Sequence, residues 1–191
     1  MSRPGGGKTA TVTDESRPAT QLSPALFDLT SLQREANSRF GFSARTTLAI
    51  AQALYERHKV LTYPRTDSRA LPEDYLDTAR QTVDVLTEQA PYRPFARQIL
   101  DAGWVRPNRR VFDNSKVSDH FAIIPTLQAP RALSEAEQRI YDLVARRFMA
   151  VFFPAAESLV TTRISRVGEH AFKTEGRVLV NPGWQAIYGR E

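Results

Sequence analysis

The sequence predicts an α+β fold in which helices come first and strands last. Apolar residues recur at helical spacing over much of residues 30–150, whereas the segment after Pro154 is rich in β-branched residues. The chain has 191 residues, 41% of them apolar, which suffices for one ordinary domain and part of a second. We therefore expect a globular protein with a helical part and a β-rich part.

The N-terminal segment, about 25 residues, is rich in Gly, Pro, Ser and Thr and lacks a sustained period. This composition predicts an extended or loosely held segment. Its GGGKTA stretch invites comparison with a phosphate-binding P-loop, which requires a glycine five positions before Gly7. Ser2 occupies that position and no strand precedes it, so the P-loop interpretation is disfavoured.

Two helices are predicted next. Thr30 and Gln33 match a capping box that begins the first helix, and Gly41 matches a C-terminal stop. The second helix is expected from Ser43 to about His58. Each has an apolar stripe, formed by Leu32, Ala36 and Phe40 in the first and by Leu48, Ala51, Leu54 and Tyr55 in the second.

A short extended segment from Val60 to Tyr63 follows and ends at Pro64, which has no N–H to donate. Pro72, followed by two acidic residues, predicts the first turn of a third helix. Its inward-facing residues are Leu76, Ala79, Val83 and Leu86. Helices therefore flank the loop that begins at Tyr63.

Periodicity breaks up over residues 91–130, where Trp104 lies among basic residues, namely Arg106, Arg109, Arg110 and Lys116. Ser134 and Glu137 then predict the cap of another strong helix, with Ile140, Leu143, Val144 and Phe148 at helical spacing. The stretches SLVTTRISRV and HAFKTEGRVLV predict two strands, and the Gly168-Glu169 pair between them predicts a hairpin turn.

Charge and composition exclude several classes of protein. Lys and Arg outnumber Asp and Glu by 26 to 21, and the sequence pI near 9.8 favours a polyanionic partner such as nucleic acid or an anionic membrane. The absence of cysteine excludes disulfides, a thiol nucleophile and Cys-ligated zinc. No apolar run approaches the roughly 20 residues of a membrane span, and no secretory signal begins the chain. We expect a soluble intracellular protein.

The stretch VLTYPRTDSRALPEDY, residues 60–75, places a phenol beside a guanidinium. One interpretation is structural: Tyr63 closes a strand, Arg65 and Asp67 pair at the surface, and Ser68 caps the next helix. Composition alone favours it. The other is catalytic: because a free phenol has a pKa of about 10, a tyrosine nucleophile needs its oxyanion stabilised, and Arg65 could also bind a phosphoryl group bidentately. Attack on a phosphodiester would conserve the bond energy in a phosphotyrosine.

Three segments carry a family resemblance: LFDLTSLQREANSRFGFSARTTLAIAQALYERHKVLTYPRTDSRALPEDY, SDHFAIIPT and NPGWQAIY. From about Leu26 to Tyr188 the chain resembles the catalytic-tyrosine region of type IA DNA topoisomerases, the topoisomerase III branch in particular. The resemblance implies a mainly helical catalytic-tyrosine (gate) domain over residues 28–130. Residues 1–27, an extended segment, and residues 131–191, a helix plus β-hairpin, would belong to the arched β-rich domain.

The same resemblance implies roles for individual residues. Tyr63 would cut one DNA strand and hold its 5′ end, Arg65 would bind the scissile phosphate, and His120 would hydrogen-bond a phosphate oxygen or the departing hydroxyl. Alone, His120 would more simply be a histidine satisfied within a loop. The DNA-binding candidates are Thr66, Asp67 and Ser68, which would shape the loop or face the phosphate, and the helical arginines Arg34, Arg39 and Arg45, for which a solvated helix face is an equal alternative.

Two positions carry further expectations. Phe121 follows His120 where the family often has a polar residue, which puts any role of that position in doubt. Trp104 is a candidate base-stacking platform because of its basic neighbours, although a buried tryptophan is commoner.

The resemblance also implies what this chain lacks. The Mg²⁺ used by the family is bound by a Toprim domain with an Asp-x-Asp pattern, which is absent from this sequence, so we expect no metal ligands here and no relaxation of DNA by the chain alone. The implied partner is single-stranded DNA, without ATP or a membrane, for a monomeric, cytoplasmic, nucleoid-associated protein. Two alternatives stay open: a non-enzymatic single-stranded DNA-binding module, and a protein-interaction fragment.

Overall fold

The computed structural model describes residues 10–189, in which five α-helices lie between an N-terminal strand and a C-terminal hairpin. The predicted α+β class is confirmed. Residues 1–9, which include most of the GGGKTA stretch, lie outside the described residues. The elements are β1 Thr11–Gln21, α1 Leu29–Phe40, α2 Ala44–Glu56, α3 Leu76–Leu86, α4 Arg93–Ala102, α5 Glu135–Ala150, β2 Ala156–Val167 and β3 His170–Asn181.

The three strands form one antiparallel sheet with the order β1-β2-β3. Thr11 lies opposite Arg166 and Gln21 opposite Ala156, so β1 is paired along its whole length. Residues 11–21 are therefore extended, which is one of the two alternatives expected for the N-terminal segment, and they are not loosely held. This segment is held in place by its hydrogen bonds to β2, which is distant in sequence. Pro18 is tolerated within it because β1 is an edge strand.

The predicted hairpin between the last two strands is confirmed. Val167 pairs with His170, and Gly168 adopts the left-handed backbone conformation, with φ of 61°, that the tight turn requires. One face of the sheet leaves several apolar side chains exposed, namely Val12, Leu159, Phe172, Val178 and Val180.

The helix caps agree with the sequence patterns except at α1. Asp28, rather than Thr30, is the N-cap: its Oδ1 accepts a hydrogen bond from Ser31 N at 2.8 Å, and Ser31 Oγ accepts one from Asp28 N at 3.1 Å. The Thr30–Gln33 capping box is therefore wrong, since Thr30 lies within the first turn and the preceding carboxylate already satisfies the free N–H groups. The Ser134–Glu137 capping box of α5 and the left-handed Gly41 after α1 are confirmed.

Two elements differ from the predicted boundaries. Pro72 precedes a short 3₁₀ turn, Glu73–Tyr75, and α3 begins only at Leu76. The expectation of broken periodicity is wrong for residues 93–102, because helix α4 places Phe95, Ala96, Ile99 and Leu100 at helical spacing against the core. Its proline near the start and Gly103 at its end, with φ of 66°, mark its boundaries.

The core lies among the helices and beneath the loop that follows α2. It includes Leu32, Leu54, Leu61, Ile99, Ile123, Tyr141 and Phe148. The sheet joins this core only at its base, where Ala156 and Val160 are buried and Trp184 Nε1 donates a hydrogen bond to Gln21 O at 2.9 Å. The helical part therefore provides the rigid support of the Tyr63 loop.

Candidate active site

The segment leading to Tyr63 is joined to a segment that lies far along the chain. Leu61 forms an antiparallel bridge with Pro125, and Thr62 N donates to Ile124 O at 3.0 Å. Ile123 N in turn donates to Phe27 O at 2.9 Å, which adds the residue before the α1 cap. Three distant parts of the sequence thus meet under the tyrosine.

The Thr62 side chain strengthens this join. Its Oγ1 donates to Ala122 O and accepts from Ile124 N, both at 2.9 Å. One hydroxyl therefore satisfies two backbone groups of the partner segment and fixes the chain immediately before Tyr63. Sequence reasoning did not single out Thr62, because its partners are distant in sequence.

The side chains of Tyr63 and His120 are brought together. Their rings stack with centroids 4.1 Å apart and planes inclined by 27°. Tyr55, from the last turn of α2, packs edge-on against Tyr63 with centroids 5.4 Å apart. Tyr63 is half-buried and His120 is exposed, so solvent and ligands reach both. Sequence reasoning placed Tyr55 on an apolar helix face and missed its contact with Tyr63.

Burial alternates along the loop after Tyr63. Pro64, Thr66, Ser68 and Ala70 are buried, whereas the residues between them are exposed. Thr66 Oγ1 accepts from Ser68 N at 3.1 Å, and Ser68 Oγ donates to Lys116 O at 2.7 Å. The hydroxyls of Thr66 and Ser68 are therefore occupied in holding the loop together.

Two charged residues of the loop have no partner within the described chain. Arg65 and Asp67 are exposed, and among residues 10–189 neither forms a hydrogen bond or an ion pair. The structural interpretation of this stretch, with an Arg65–Asp67 pair and Ser68 as a helix cap, is thus wrong in both details, since Ser68 bonds to Lys116 instead. Arg65 keeps all of its donors available to a ligand.

The loop is anchored on the N-terminus of α1. Thr66 O accepts from Leu29 N at 3.0 Å, and Arg69 Nε lies 3.2 Å from Asp28 Oδ2. Although burial opposes its ionisation, hydrogen bonds from Ser31 and Arg69 hold the pKa of Asp28 below its usual value. The carboxylate that caps α1 therefore also fixes the loop.

The three helical arginines, Arg34, Arg39 and Arg45, are all exposed. Arg39 lies about 15 Å along α1 from Leu29, where the Tyr63 loop is anchored, and bonds Glu35 at 2.6 Å. Its guanidinium also lies over the Tyr188 ring. Arg45 lies in the first turn of α2, about 15 Å from Tyr55 at the other end.

The two aromatic residues with separate expectations are both half-buried. Trp104 packs against Phe153 with ring centroids 4.9 Å apart, and Phe121 packs against Tyr75 with centroids 5.0 Å apart. Phe121 also lines a cleft of about 650 Å³ beside Tyr63. The other residues of this cleft are Tyr55, Glu56, Lys59, Leu61, Thr62 and Thr126.

The residues of the described chain do not fit a Mg²⁺ site. Over residues 10–189 no group of three or more His, Asp or Glu side chains is placed to hold a metal ion. In the same part of the chain, no helix has the length and apolar character needed to cross a membrane.

Comparison with known proteins gives one consistent result. A family model described as DNA topoisomerase matches residues 3–191. The chain is 45% identical over 184 residues to DNA topoisomerase 3 of Bacillus cereus, and 43% identical over 185 residues to DNA topoisomerase 3 of Bacillus subtilis. Each match covers 95% of this chain and 25% of the relative. The chain therefore spans about a quarter of the length of these relatives.

A solved structure is similar as well. Full-length topoisomerase I from Thermotoga maritima matches with a TM-score of 0.68 and 25% sequence identity, over 95% of this chain and 30% of the other. The arrangement of helices and sheet is therefore one that also occurs within a longer protein.

Proposed function

The chain belongs to the type IA DNA topoisomerase family, and from this premise we propose that it cleaves single-stranded DNA transiently through Tyr63. The observation that supports this most directly is the stack of Tyr63 on His120, two residues before an exposed Arg65 that has no partner among the described residues. A nucleophile, a hydrogen-bonding imidazole and a free guanidinium are the groups that attack on a phosphodiester needs.

The proposed reaction is a transesterification. Tyr63 Oη attacks the phosphorus, a P–O bond to tyrosine forms, and the P–O3′ bond breaks. The phenolic proton leaves Tyr63 and a proton is taken up by the departing 3′ oxygen. Because one ester replaces another, the reverse attack by the 3′ hydroxyl reseals the strand without ATP.

Arg65 and His120 would stabilise this exchange. A guanidinium binds two oxygens of a phosphate in parallel and opposes the charge that develops on them. His120 can donate a hydrogen bond to a phosphate oxygen or to the departing 3′ oxygen, and its ring is exposed to a ligand. Thr66 and Ser68 would then act by shaping the loop, and Asp67 by facing the DNA.

Single-stranded DNA is the proposed partner. The excess of basic over acidic residues, 26 to 21, favours a polyanion, and binding should be largely independent of sequence and weakened by salt. Arg34, Arg39 and Arg45, which are exposed on α1 and α2, would contribute to this attraction. We further propose a gate domain over residues 28–130 within a monomeric, cytoplasmic enzyme whose Mg²⁺ is bound outside the described residues.

A covalent adduct tests the proposal. The chain is substituted for the matched quarter of Bacillus cereus DNA topoisomerase 3 and mixed with a single-stranded oligonucleotide labelled at its 3′ end. We expect an SDS-resistant labelled adduct with Tyr63 and none with Tyr63→Phe. Equal adduct from both proteins would exclude Tyr63 as nucleophile, and DNA binding without adduct would favour a non-enzymatic binding module. The chain alone, with Mg²⁺, should not relax supercoiled DNA.

A further inference from the structure

The cleft beside Tyr63 has walls that the proposed cleavage chemistry leaves without a role. Tyr55, Leu61 and Phe121 supply aromatic and apolar surface, and Lys59 and Glu56 lie at its rim. We propose that this cleft binds a nucleobase of the single strand, next to the phosphate that Tyr63 attacks. The inference rests on the proposed function and names the part of the substrate that this cleft holds.

The size and position of the cleft suit a base. Its volume of about 650 Å³ lies within the range of about 300–1,000 Å³ that small-molecule sites occupy. Tyr63 itself lines the cleft, so a base in it belongs to a nucleotide adjacent to the attacked phosphate. Double-stranded DNA keeps its bases stacked, and only an unpaired base can enter.

The aromatic walls are held in place by other rings. Tyr55 meets Tyr63 edge-on, at an interplanar angle of 85°, while His120 covers a face of Tyr63 by stacking. Phe121 packs against Tyr75 from outside the cleft. Tyr55 and Phe121 are both half-buried, which leaves ring surface for a base to stack upon.

The charges at the rim of the cleft suit a neutral base that is flanked by a backbone phosphate. Glu56 and Lys59 are both exposed and carry opposite charges. Glu56 Oε1 accepts from Gln52 Nε2 at 2.7 Å, which keeps the carboxylate on the helix surface. The Lys59 ammonium can meet a backbone phosphate that flanks the bound base.

The backbone at Lys59 is held in an uncommon conformation. Lys59 has φ of 57°, in the left-handed region that a lysine rarely adopts. Thr126 Oγ1 donates to Lys59 O at 2.6 Å, and Val60 N donates to Leu54 O at 2.9 Å, so the turn is fixed on both sides. This turn places Lys59 at the rim of the cleft, four residues before Tyr63, and Leu61 within the cleft, two residues before Tyr63.

The identity of Phe121 agrees with a base site. Phe121 directly follows His120 in the sequence and lines the cleft. A polar side chain there would face the cleft with hydrogen-bonding groups, whereas Phe121 adds a stacking surface.

The test separates bases from backbone. Binding of the full chain is measured by fluorescence anisotropy to an oligothymidine and to an abasic oligonucleotide of the same length, with the wild-type chain, Tyr55→Leu and Phe121→Leu. Because an aromatic stack contributes about 1–3 kcal/mol per base, each variant should bind oligothymidine roughly tenfold more weakly. Each should bind the abasic strand as the wild type does. Phe172→Leu, an exposed aromatic on β3, is the matched control and should change neither.

The outcomes are distinguishable. Equal weakening on both strands would assign Tyr55 and Phe121 to structure alone and would overturn the base site, as would no weakening on either. No preference of the wild-type chain for oligothymidine over the abasic strand would overturn it too. Thermal unfolding of both variants shows whether either fails to fold, in which case the other decides. The Tyr63 adduct is measured separately, so a base site that fails leaves the cleavage proposal standing or falling on its own assay.

Discussion

The carboxylate of Glu137 joins the end of α2 to the start of α5, and its replacement by glutamine should destabilise the protein in a pH-dependent way. Glu137 Oε2 lies 2.8 Å from both Arg57 Nη2 and His58 Nε2, and Glu137 Oε1 accepts from Ser134 N at 2.9 Å. Burial opposes ionisation of this carboxyl, but the hydrogen bonds from Ser134, His58 and Arg57 lower its pKa from 4.5 to about 2.

The pKa shift of Glu137 sets the size of the expected loss in unfolding free energy. A fall from 4.5 to about 2 corresponds to at most about 3.5 kcal/mol of stability, at about 1.4 kcal/mol per pKa unit. Because 70% of the Arg57 side chain is exposed, solvent screens part of the attraction, and we expect a loss of about 2 kcal/mol in Glu137→Gln at pH 7. Glutamine keeps the shape and one acceptor oxygen, so the change isolates the charge.

The stability that the Glu137 carboxylate contributes should fall as the pH is lowered. Since the folded-state pKa is depressed, the stabilisation is fully present above about pH 4.5 and is lost as the pH falls toward 2. Urea unfolding of the wild type and Glu137→Gln should therefore differ at pH 7 and converge toward pH 2, with less than half of the difference left at pH 3.

A matched control lies in the same helical turn. Glu135 is exposed and pairs with Arg139 at 2.7 Å across one turn of α5, so Glu135→Gln tests the same substitution in the same helix dipole. It should cost about 0.5 kcal/mol or less. A loss in Glu137→Gln that equals the control, or that persists unchanged to pH 2, would refute the clamp between α2 and α5.

Two further changes test the support of the loop and the base of the sheet by thermal unfolding. Thr62→Val leaves Ala122 O and Ile124 N without their partner and should cost about 2 kcal/mol, whereas Thr30→Val, at an exposed first-turn position, should cost about 0.5 kcal/mol; equal losses would contradict the role of the hydroxyl. Gly183→Ala would drive a methyl group into the carbonyl oxygens of Pro154 and Ala155 at φ of 52° and should cost about 3 kcal/mol or more. Gly103→Ala, at φ of 66° with open space around it, should cost only about 1 kcal/mol, and similar losses at both glycines would exclude the clash.

The parts of the fold that were predictable are those whose signals are local. The apolar stripes of α1, α2 and α5, the Ser134 cap and the Gly168 turn each lie within a few residues of the element they define. Strand β1 was not predictable as a strand, because its hydrogen-bonding partner is β2, far along the sequence. The Asp28 cap was displaced by two residues from the expected Thr30 because both residues are good cap formers.

The site was predictable in a different way. Composition alone favoured a structural role for Tyr63, and the pairing of Tyr63 with Arg65 and His120 came from family resemblance. The roles of Tyr55 and Thr62 become visible only in the folded structure. Tyr55 contacts Tyr63 edge-on, and the Thr62 hydroxyl forms hydrogen bonds with two backbone groups. Their helical or extended spacing in the sequence is the same as that of ordinary core residues.

The alternation of burial from Pro64 to Ala70 explains why the signature after the tyrosine is so polar. The hydroxyls of the buried residues Thr66 and Ser68 bond backbone groups in place of the strand hydrogen bonds that the loop lacks. Their polarity therefore serves the folding of the loop. Its odd-numbered residues face solvent, and of their charges only that of Arg69 is neutralised, by Asp28. Arg65 is then the cation nearest in sequence to Tyr63 that a phosphate can meet without first breaking an ion pair, and a loop rigid enough to present it needs the buried hydroxyls beneath.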